Sequence, residues 1–570
     1  MSVEDRPLPV VQRAYFYVVL LVAVHMIVLG VANLLRVGAE IALDAPSGGF
    51  TGLPFVFAEF NRPSELYREQ ASLAIALLLV GVPAWYLHFR AADGAARRSA
   101  PERGAALRST YLHVVIVVSA LLVFGYGQRV LRLVLLALVA GDGQSLGVGA
   151  DRIFQLEPAW EARAAGAFAM AVAAAGALVF HVRVAAADRR SGALAARAAE
   201  VGHFAVYALA VVGLLFFAFS VASTLAGLWQ RLLFPFPDPV FPPGVTPRPI
   251  PGRDASLLFD LANALPGIIA GLALWLAAWL PAQRAVRDAV HDARISIARR
   301  FAIYLVVAIA AFVVLFGLTT AIATVLARAL GERGISDSDL GRQLGSPLLF
   351  AAVFAAVWWY HRRVVEGEAT RETEAGRAAA IRRAYYYLIA AIGLAMGAIG
   401  AAGAIGAVGS GWLRLMDHDA RETATWIALV LVGGPAWAFH WRTSQRRLDD
   451  AERRSLQRRV YLYLAILGSV AAVLVFGSAF LFNLLKGVLA LRFDLATVHD
   501  LWHFGVDSAV GAVALAWHFR LVRADRAALA AAGLEESYHV TLVVRAADRA
   551  AAQARVAEAL QGQPDITVRG

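Results

Sequence analysis

Five histidines in this chain recur with a fixed companion. His88, His181, His361, His440 and His518 each close an apolar run, and each is followed two residues later by an arginine: Arg90, Arg183, Arg363, Arg442 and Arg520. A sixth run ends Ala282-x-Arg284 and so keeps the arginine without the histidine. Four of the runs carry a tryptophan three residues before the histidine position, at Trp85, Trp279, Trp358 and Trp437. Imidazoles held at one depth could supply the two axial ligands of a haem, with the neighbouring arginines on its propionates. A quinone headgroup is a related occupant. The plainer reading needs no ligand: tryptophan favours the bilayer interface, arginine snorkels to the headgroups, and both basic residues meet the negative end of a helix dipole. The plainer reading is preferred, because five ligands exceed what one haem needs.

Two further places could do chemistry. His25 falls in the middle of the first apolar run, where an ionisable residue is a functional candidate by default. A hydrogen bond from its imidazole to a neighbouring helix is the simpler expectation. His499 and His503 stand i,i+4 beside Asp500 and Asp507, a spacing that puts two metal-capable rings on one helix face. The stretch has neither the Glu of H-E-x-x-H nor a third ligand, so no metal is expected.

Absences narrow the rest. There is no cysteine, hence no disulfide, iron–sulfur cluster or thiol nucleophile. No Asp or Glu lies near the middle of an apolar run; the nearest, Asp260 and Asp507, sit at run ends, whereas ion-coupled carriers place a carboxylate near the midplane. No Walker loop, G-x-S-x-G elbow or H-E-x-x-H zinc motif occurs. The chain is read as not an enzyme, with no resident cofactor.

The elements that carry these residues are membrane spans. The 570 residues are 59% hydrophobic and 17% charged, against about 25% charged in soluble domains. Twelve apolar segments are predicted, at about 14–35, 72–89, 110–132, 164–183, 202–231, 264–283, 301–328, 347–361, 384–414, 425–441, 460–486 and 505–519. Most approach the ~20 residues that cross a bilayer core. They fall into six pairs. First segments open with arginine and aromatics ("RAYFY", "RSTYLH", "RRFAIY", "RRAYYY", "RRVYLY") and end on Arg36, Arg132, Arg231, Arg328, Arg414 or Lys486. The third pair opens "HFAVY" and is degenerate. Every pair enters and leaves on one side, so the hairpins are parallel repeats. The side carrying the termini and the His-x-Arg ends is strongly basic and the other is not, which by the positive-inside rule makes both termini cytoplasmic in a plasma membrane. The net charge of +11 then records topology and requires no nucleic-acid partner.

The repeated "R-x-Y-x-Y" opening and the "PAW-x-x-H-x-R" close, as in "PAWYLHFR" and "PAWAFHWR", resemble a bacterial membrane family, domain of unknown function 5671. The likeness covers about residues 10–525, strongest at 1–90 and 382–520 and weak at 200–290. It implies a membrane-embedded repeat protein and transfers no site residues.

The expected fold is therefore all-α and integral to the membrane. Twelve transmembrane helices form six parallel-orientation hairpin repeats (1–98, 99–192, 193–293, 294–373, 374–450 and 451–523), followed by a small cytoplasmic β-α-β tail over 524–570. The tail alternates as strand, helix, strand, and would pack on cytoplasmic loops or on a second copy. A proline-rich loop, "FPFPDPVFPPGVTPRPIPGRD" at 234–254, reads as a stiff extended strap. The ninth segment carries glycines at 393, 397, 400, 403, 406, 409 and 411. A step of three drifts around a helix, so these predict crowding on several sides and no single flat face. The leading functional expectation is a non-enzymatic scaffold or interaction protein whose partners are the bilayer and, through the tail, itself or another membrane protein. A small-solute transporter or channel is the alternative, and a haem- or quinone-binding redox protein the third.

Overall fold

The computed structural model describes residues 9–44, 63–140, 160–192, 194–235, 257–288, 296–332, 336–369, 377–415 and 419–531, with the single residue Glu558. The proline-rich loop beyond Pro235 and the predicted β-α-β tail lie outside these residues. Among the described residues every regular element is helical.

The helices are α1 (Val10–Ala42), α2 (Pro63–Arg98), α3 (Ala100–Arg103), α4 (Ala106–Ala140), α5 (Trp160–Arg190), α6 (Ala196–Leu233), α7 (Leu257–Arg287), α8 (Ile297–Ala329), α9 (Asp337–Ala369), α10 (Arg377–Trp412), α11 (Ala420–Gln445), α12 (Asp450–Arg453), α13 (Leu456–Leu489) and α14 (Leu495–Ala531). Eleven are long and apolar enough to cross a membrane. The segment predicted at 505–519 lies inside α14, which is not among the eleven. His499, Asp500, His503 and Asp507 on one side, and Arg520, Arg523, Asp525 and Arg526 on the other, dilute its apolar stretch.

Helices overrun their apolar segments. At 1.5 Å per residue the 33 residues of α1 reach about 50 Å, well beyond the ~30 Å hydrocarbon core. The ends therefore carry charge in helical geometry, which decides where the site residues meet.

The chain divides into two compact units, Met1–His440 and Trp441–Gly570. In the first, consecutive long helices pack in pairs: α1 with α2, α4 with α5, α6 with α7 and α8 with α9. Gly30 faces Ala74 and Leu78 while Gly81 faces Ala23 and Met26, so α1 and α2 run antiparallel. Successive pairs then join in two alternating ways. The first helix of an odd pair lies on the second helix of the next (α1 on α5, α6 on α9). The first helix of an even pair lies against the following odd pair (α4 on α6 and α7, α8 on α10). In the second unit α13 pairs with α14.

Burial follows the logic of packing in lipid, where small residues let backbones approach and large apolar residues face outward. Ala74, Ala174, Ala222, Ala298, Ala310 and Ala428 are wholly buried, whereas Leu79, Phe316, Leu467 and Leu474 are each more than 60% exposed. The α10 glycines correct the expectation drawn from their spacing. Gly393, Gly397, Gly400 and Gly403 all meet the same helix, α11, at Trp437, Gly434, Val430 and Trp426. The single step of four offsets part of the drift of the steps of three, so these four stay within about a third of the circumference. A methyl at Gly393 would stand 2.6 Å from the Trp437 backbone nitrogen.

Two caps recur. Ser296 and Ser455 accept from the backbone N–H of Arg299 and Arg458, starting α8 and α13 with an arginine at the third position. The C-terminal ends of α1, α8, α10 and α13 are followed by left-handed residues, Asp44, Gly331, Arg414 and Leu491. After α8 and α13 the next N–H reaches back to close the turn, from Glu332 to Ala327 O and from Arg492 to Gly487 O, both at 3.0 Å.

Candidate functional site

Each recurrent histidine is held by its own helix through one ring nitrogen. Nδ1 lies 2.7 Å from Ala84 O for His88 and 2.8 Å from Ala177 O, Val357 O, Ala436 O and Ala514 O for the other four. A carbonyl can only accept, so Nδ1 carries the proton and Nε2 presents a lone pair. In four hairpins that lone pair meets a tyrosine of the partner helix: Tyr15 at 3.1 Å from His88, Tyr111 at 2.8 Å from His181, Tyr385 at 3.2 Å from His440 and Tyr461 at 3.3 Å from His518. The phenol donates and the imidazole accepts. The rings of Tyr111 and His181 also meet edge to face, with centroids 5.5 Å apart.

These clasps answer which way the histidines face. His181, His361, His440 and His518 are buried between helices and His88 is half-buried. Nε2, the atom a haem iron would take, is engaged in four of them. His361 differs, because the tyrosine position on α8 is Ala302 and the ring lies instead against Trp279 at 5.5 Å. The hairpin of α6 and α7 has alanine at both positions, Ala205 and Ala282. The arginines that follow, Arg90, Arg183, Arg363, Arg442 and Arg520, are all exposed. Arg90 donates to Tyr86 at 3.2 Å and Arg363 covers Trp359 at 4.0 Å.

In three hairpins an arginine three residues before the clasp-tyrosine position is buried instead. Arg108 donates to Asp188 at 2.8 Å and to Asp93 at 2.9 Å. Arg458 donates to Asp525 at 2.6 Å. Arg299, which has no clasp tyrosine after it, donates to Glu368 at 2.5 Å, to Gln283 at 3.2 Å and to Tyr207 at 3.1 Å. Its guanidinium also covers Trp279 at 5.2 Å. Asp188, Glu368 and Asp525 each stand seven residues after a recurrent histidine, two turns along the same helix. This lock occurs in the second, fourth and sixth hairpins.

Of the remaining predicted residues, His25 returns its Nδ1 proton to Leu21 O at 2.6 Å within its own helix, not to a neighbour as expected. A mid-span imidazole has a spare carbonyl one turn back, and no partner helix needs to supply one. The His499 and His503 rings lie 4.4 Å apart, tilted by 42°, and His499 lies 3.8 Å from Asp500. Among the described residues no group of three or more metal-capable side chains converges.

The opposite end of the hairpins is built differently. At the far end of α1, Arg36 donates to Glu40 at 2.7 Å, Gln70 at 2.5 Å and Asn33 at 3.3 Å, all four buried. Two clefts open at this end. One of about 1100 Å³ lies between α4, α6 and α7, and one of about 670 Å³ lies between α8, α9, α10 and α11. At the first, Arg132 donates to Asn263 at 2.8 Å, and Arg231 pairs with Asp260 beside it.

Long apolar helices, exposed leucines and interhelical clasps make an all-helical protein of repeated build, compatible with multiple passes through a membrane. Three stretches, residues 13–146, 203–346 and 383–506, match the domain of unknown function DUF5671, and the chain belongs to that family. Each match begins at the first helix of an odd hairpin and runs into the even hairpin that follows, so the alternation in packing and in locks has the period of the family domain. The middle match takes in the degenerate hairpin. No curated protein and no solved structure matches the chain.

Sequence reasoning marked the arginine openings and the histidine closes but missed what joins them. The acid seven residues beyond the histidine, Asp188, Glu368 or Asp525, lies past the predicted apolar segments, although its spacing repeats three times. The tyrosine clasps were readable as a covariation inside the chain, since Tyr15, Tyr111, Tyr385 and Tyr461 occur only where a histidine faces them.

Proposed function

We propose that the protein is a non-enzymatic intramembrane platform: six parallel hairpins, twelve spans including α14, and both termini on the cytoplasmic side. The observation that carries this reading is the engagement of the recurrent histidines. Four of five hold both ring nitrogens in bonds, Nδ1 on a carbonyl of their own helix and Nε2 on a tyrosine that fastens it to the other helix of the hairpin. The buried arginines Arg108 and Arg458 are likewise bonded to carboxylates on the adjoining helix. Residues able to bind a cofactor or move a proton serve instead as fasteners, and rigidity is what their repetition delivers.

The absorption spectrum of the purified full-length protein tests this. A Soret band, or a quinone in its organic extract, would overturn the platform reading in favour of a redox protein. The two clefts favour a second reading, a small-solute carrier. Solute or ion flux into proteoliposomes, absent from empty liposomes, would establish it.

A further inference from the structure

The two clefts occupy the same place in successive copies of the family domain. Counted from Arg108 in α4 and Arg299 in α8, Gln128, Arg129 and Arg132 of the first cleft fall at the positions of Thr319, Thr320 and Ala323 of the second. Counted from Tyr207 and Tyr387, Val212 and Phe216 coincide with Ile392 and Met396. Counted from Ala282 and His440, Asn263 coincides with Arg421 and Gly267 with Thr425. Each cleft lies where the first helix of an even hairpin meets the next odd hairpin, which is where one family domain meets the next.

Their chemistry is graded the same way. The deep wall is apolar, with Val212, Leu215 and Phe216 in one cleft and Phe312, Leu315 and Phe316 in the other. Hydroxyls follow: Ser220, Ser223 and Thr224, against Thr319, Thr320 and Thr324. Thr319 and Thr324 give their protons to carbonyls one turn back, at 2.8 Å each, which leaves guanidinium as the strong donor. The rim carries it. Arg132 stands at the first rim, its Nε on Asn263 and its terminal nitrogens engaging no other described residue. At the second rim the corresponding α8 position is alanine, but the position facing it is Arg421, whose ion-pair partner among the described residues is Glu332 at 3.8 Å. The arginine has changed walls and kept its place. From Val212 to Leu228 the first cleft runs about 24 Å along α6, longer than half of a ~30 Å hydrocarbon core.

We infer that these clefts are two repeat-related binding sites for an anionic phospholipid, its phosphate on Arg132 or Arg421 and an acyl chain along the apolar wall. The donor–acceptor match favours a phosphate, which guanidinium binds with two parallel N–H···O bonds. The apolar depth favours a lipid over a free anion. Basic pockets between membrane helices are established lipid-headgroup sites.

Native mass spectrometry of the full chain in detergent, titrated with phosphatidylglycerol, phosphatidylcholine or inorganic phosphate, tests this. The expected result is two retained phosphatidylglycerol molecules that neither competitor displaces. R132Q should weaken one site and R421Q the other, each about ten-fold, the loss of one charge-assisted contact. R132K and R421K should keep both lipids largely bound. Equal retention of the two phospholipids, displacement by inorganic phosphate, or unchanged stoichiometry in R132Q and R421Q would each overturn the inference. The comparison between lipids uses the unaltered protein, so it stays decisive if a variant misfolds. It is also separate from the cofactor spectrum that tests the platform reading.

Discussion

The two ends of these hairpins use the same residue types for opposite purposes. At the histidine end, Tyr111 and Tyr461 meet buried imidazoles at 2.8 and 3.3 Å, and the buried Arg108 and Arg299 meet carboxylates at 2.8 and 2.5 Å. At the other end, beyond the buried cluster around Arg36, arginines line open clefts: Arg132 bonds one neutral amide, and Arg421 lies at the limit of an ion pair. In a bilayer no hydrophobic force holds one helix to another, and packing and interhelical hydrogen bonds must do so. A fold fastened at one end can leave polar groups uncommitted at the other. The difference teaches where to look for function: away from the motif that repeats most faithfully.

The largest expected effect breaks a fastener. Arg108→Met leaves Asp188 ionised and buried without its main partner, a change that costs about 3–5 kcal/mol in buried pairs. Arg132→Met, at the exposed rim, should cost under about 1 kcal/mol. Thermal unfolding of both variants in detergent measures the contrast. Equal losses would dissolve the distinction between the two ends.

A double-mutant cycle sharpens it at one clasp. Tyr111→Phe removes the donor to His181 and strands a buried imidazole lone pair, for about 1–3 kcal/mol. Combined with His181→Phe, the loss should fall short of additive by about 1 kcal/mol. Strict additivity would mean that the 2.8 Å contact fastens nothing. The hairpin of α8 and α9 is the internal control, since Ala302 already faces His361.

A third change acts through the backbone. Leu491 caps α13 with a left-handed φ of 49°, which costs a residue with a side chain about 1–2 kcal/mol. Gly331 holds the corresponding place after α8 with φ 88°. Leu491→Gly should therefore stabilise the protein by up to about 1 kcal/mol, the gain in φ freedom being partly offset by unfolded-chain entropy. A lowered melting temperature would show that the leucine side chain matters more than its strain.

Membrane character, the pairing of apolar runs and the recurrence of His-x-Arg were legible in the sequence because each is a pattern along one chain. The clasps show only as a covariation of tyrosine with histidine from hairpin to hairpin, because Tyr111 and His181 are 70 residues apart and neither position alone declares its partner. The Asp188 lock was hidden by the assumption that a helix stops where its apolar run stops. Arg36 was legible as the end of the first apolar run, but its pairing with Glu40 was hidden for the same reason, since α1 runs on to Ala42. The glycines of α10 misled in the opposite direction: a periodicity argument weighed all seven, while packing used four against one helix. The clefts needed the repeat alignment and the packing together, since Arg132 and Arg421 lie on different helices of their domains.

The smallest expected effect concerns Asp494, which caps α14 at the end away from the histidines. Hydrogen bonds from the Thr497 side chain and then its backbone N–H, at 2.8 Å from Oδ1, hold the Asp494 carboxyl below the usual carboxylate range, helped by the charges of Lys486 and Arg492. The folded state thus prefers the ionised cap more than the unfolded chain does. Its contribution is complete above the ordinary aspartate pKa, about 4, and is lost as pH falls through the lower folded value. Asp494→Asn keeps an acceptor for Thr497 and removes the titration, so its melting temperature should fall less than that of the unaltered protein on moving from pH 6 to below about pH 4. The fully exposed site makes this shift smaller than any of the three before it. Parallel curves for the two proteins across that window would show that the charge on this cap contributes nothing, and that the outer end is closed by backbone geometry alone.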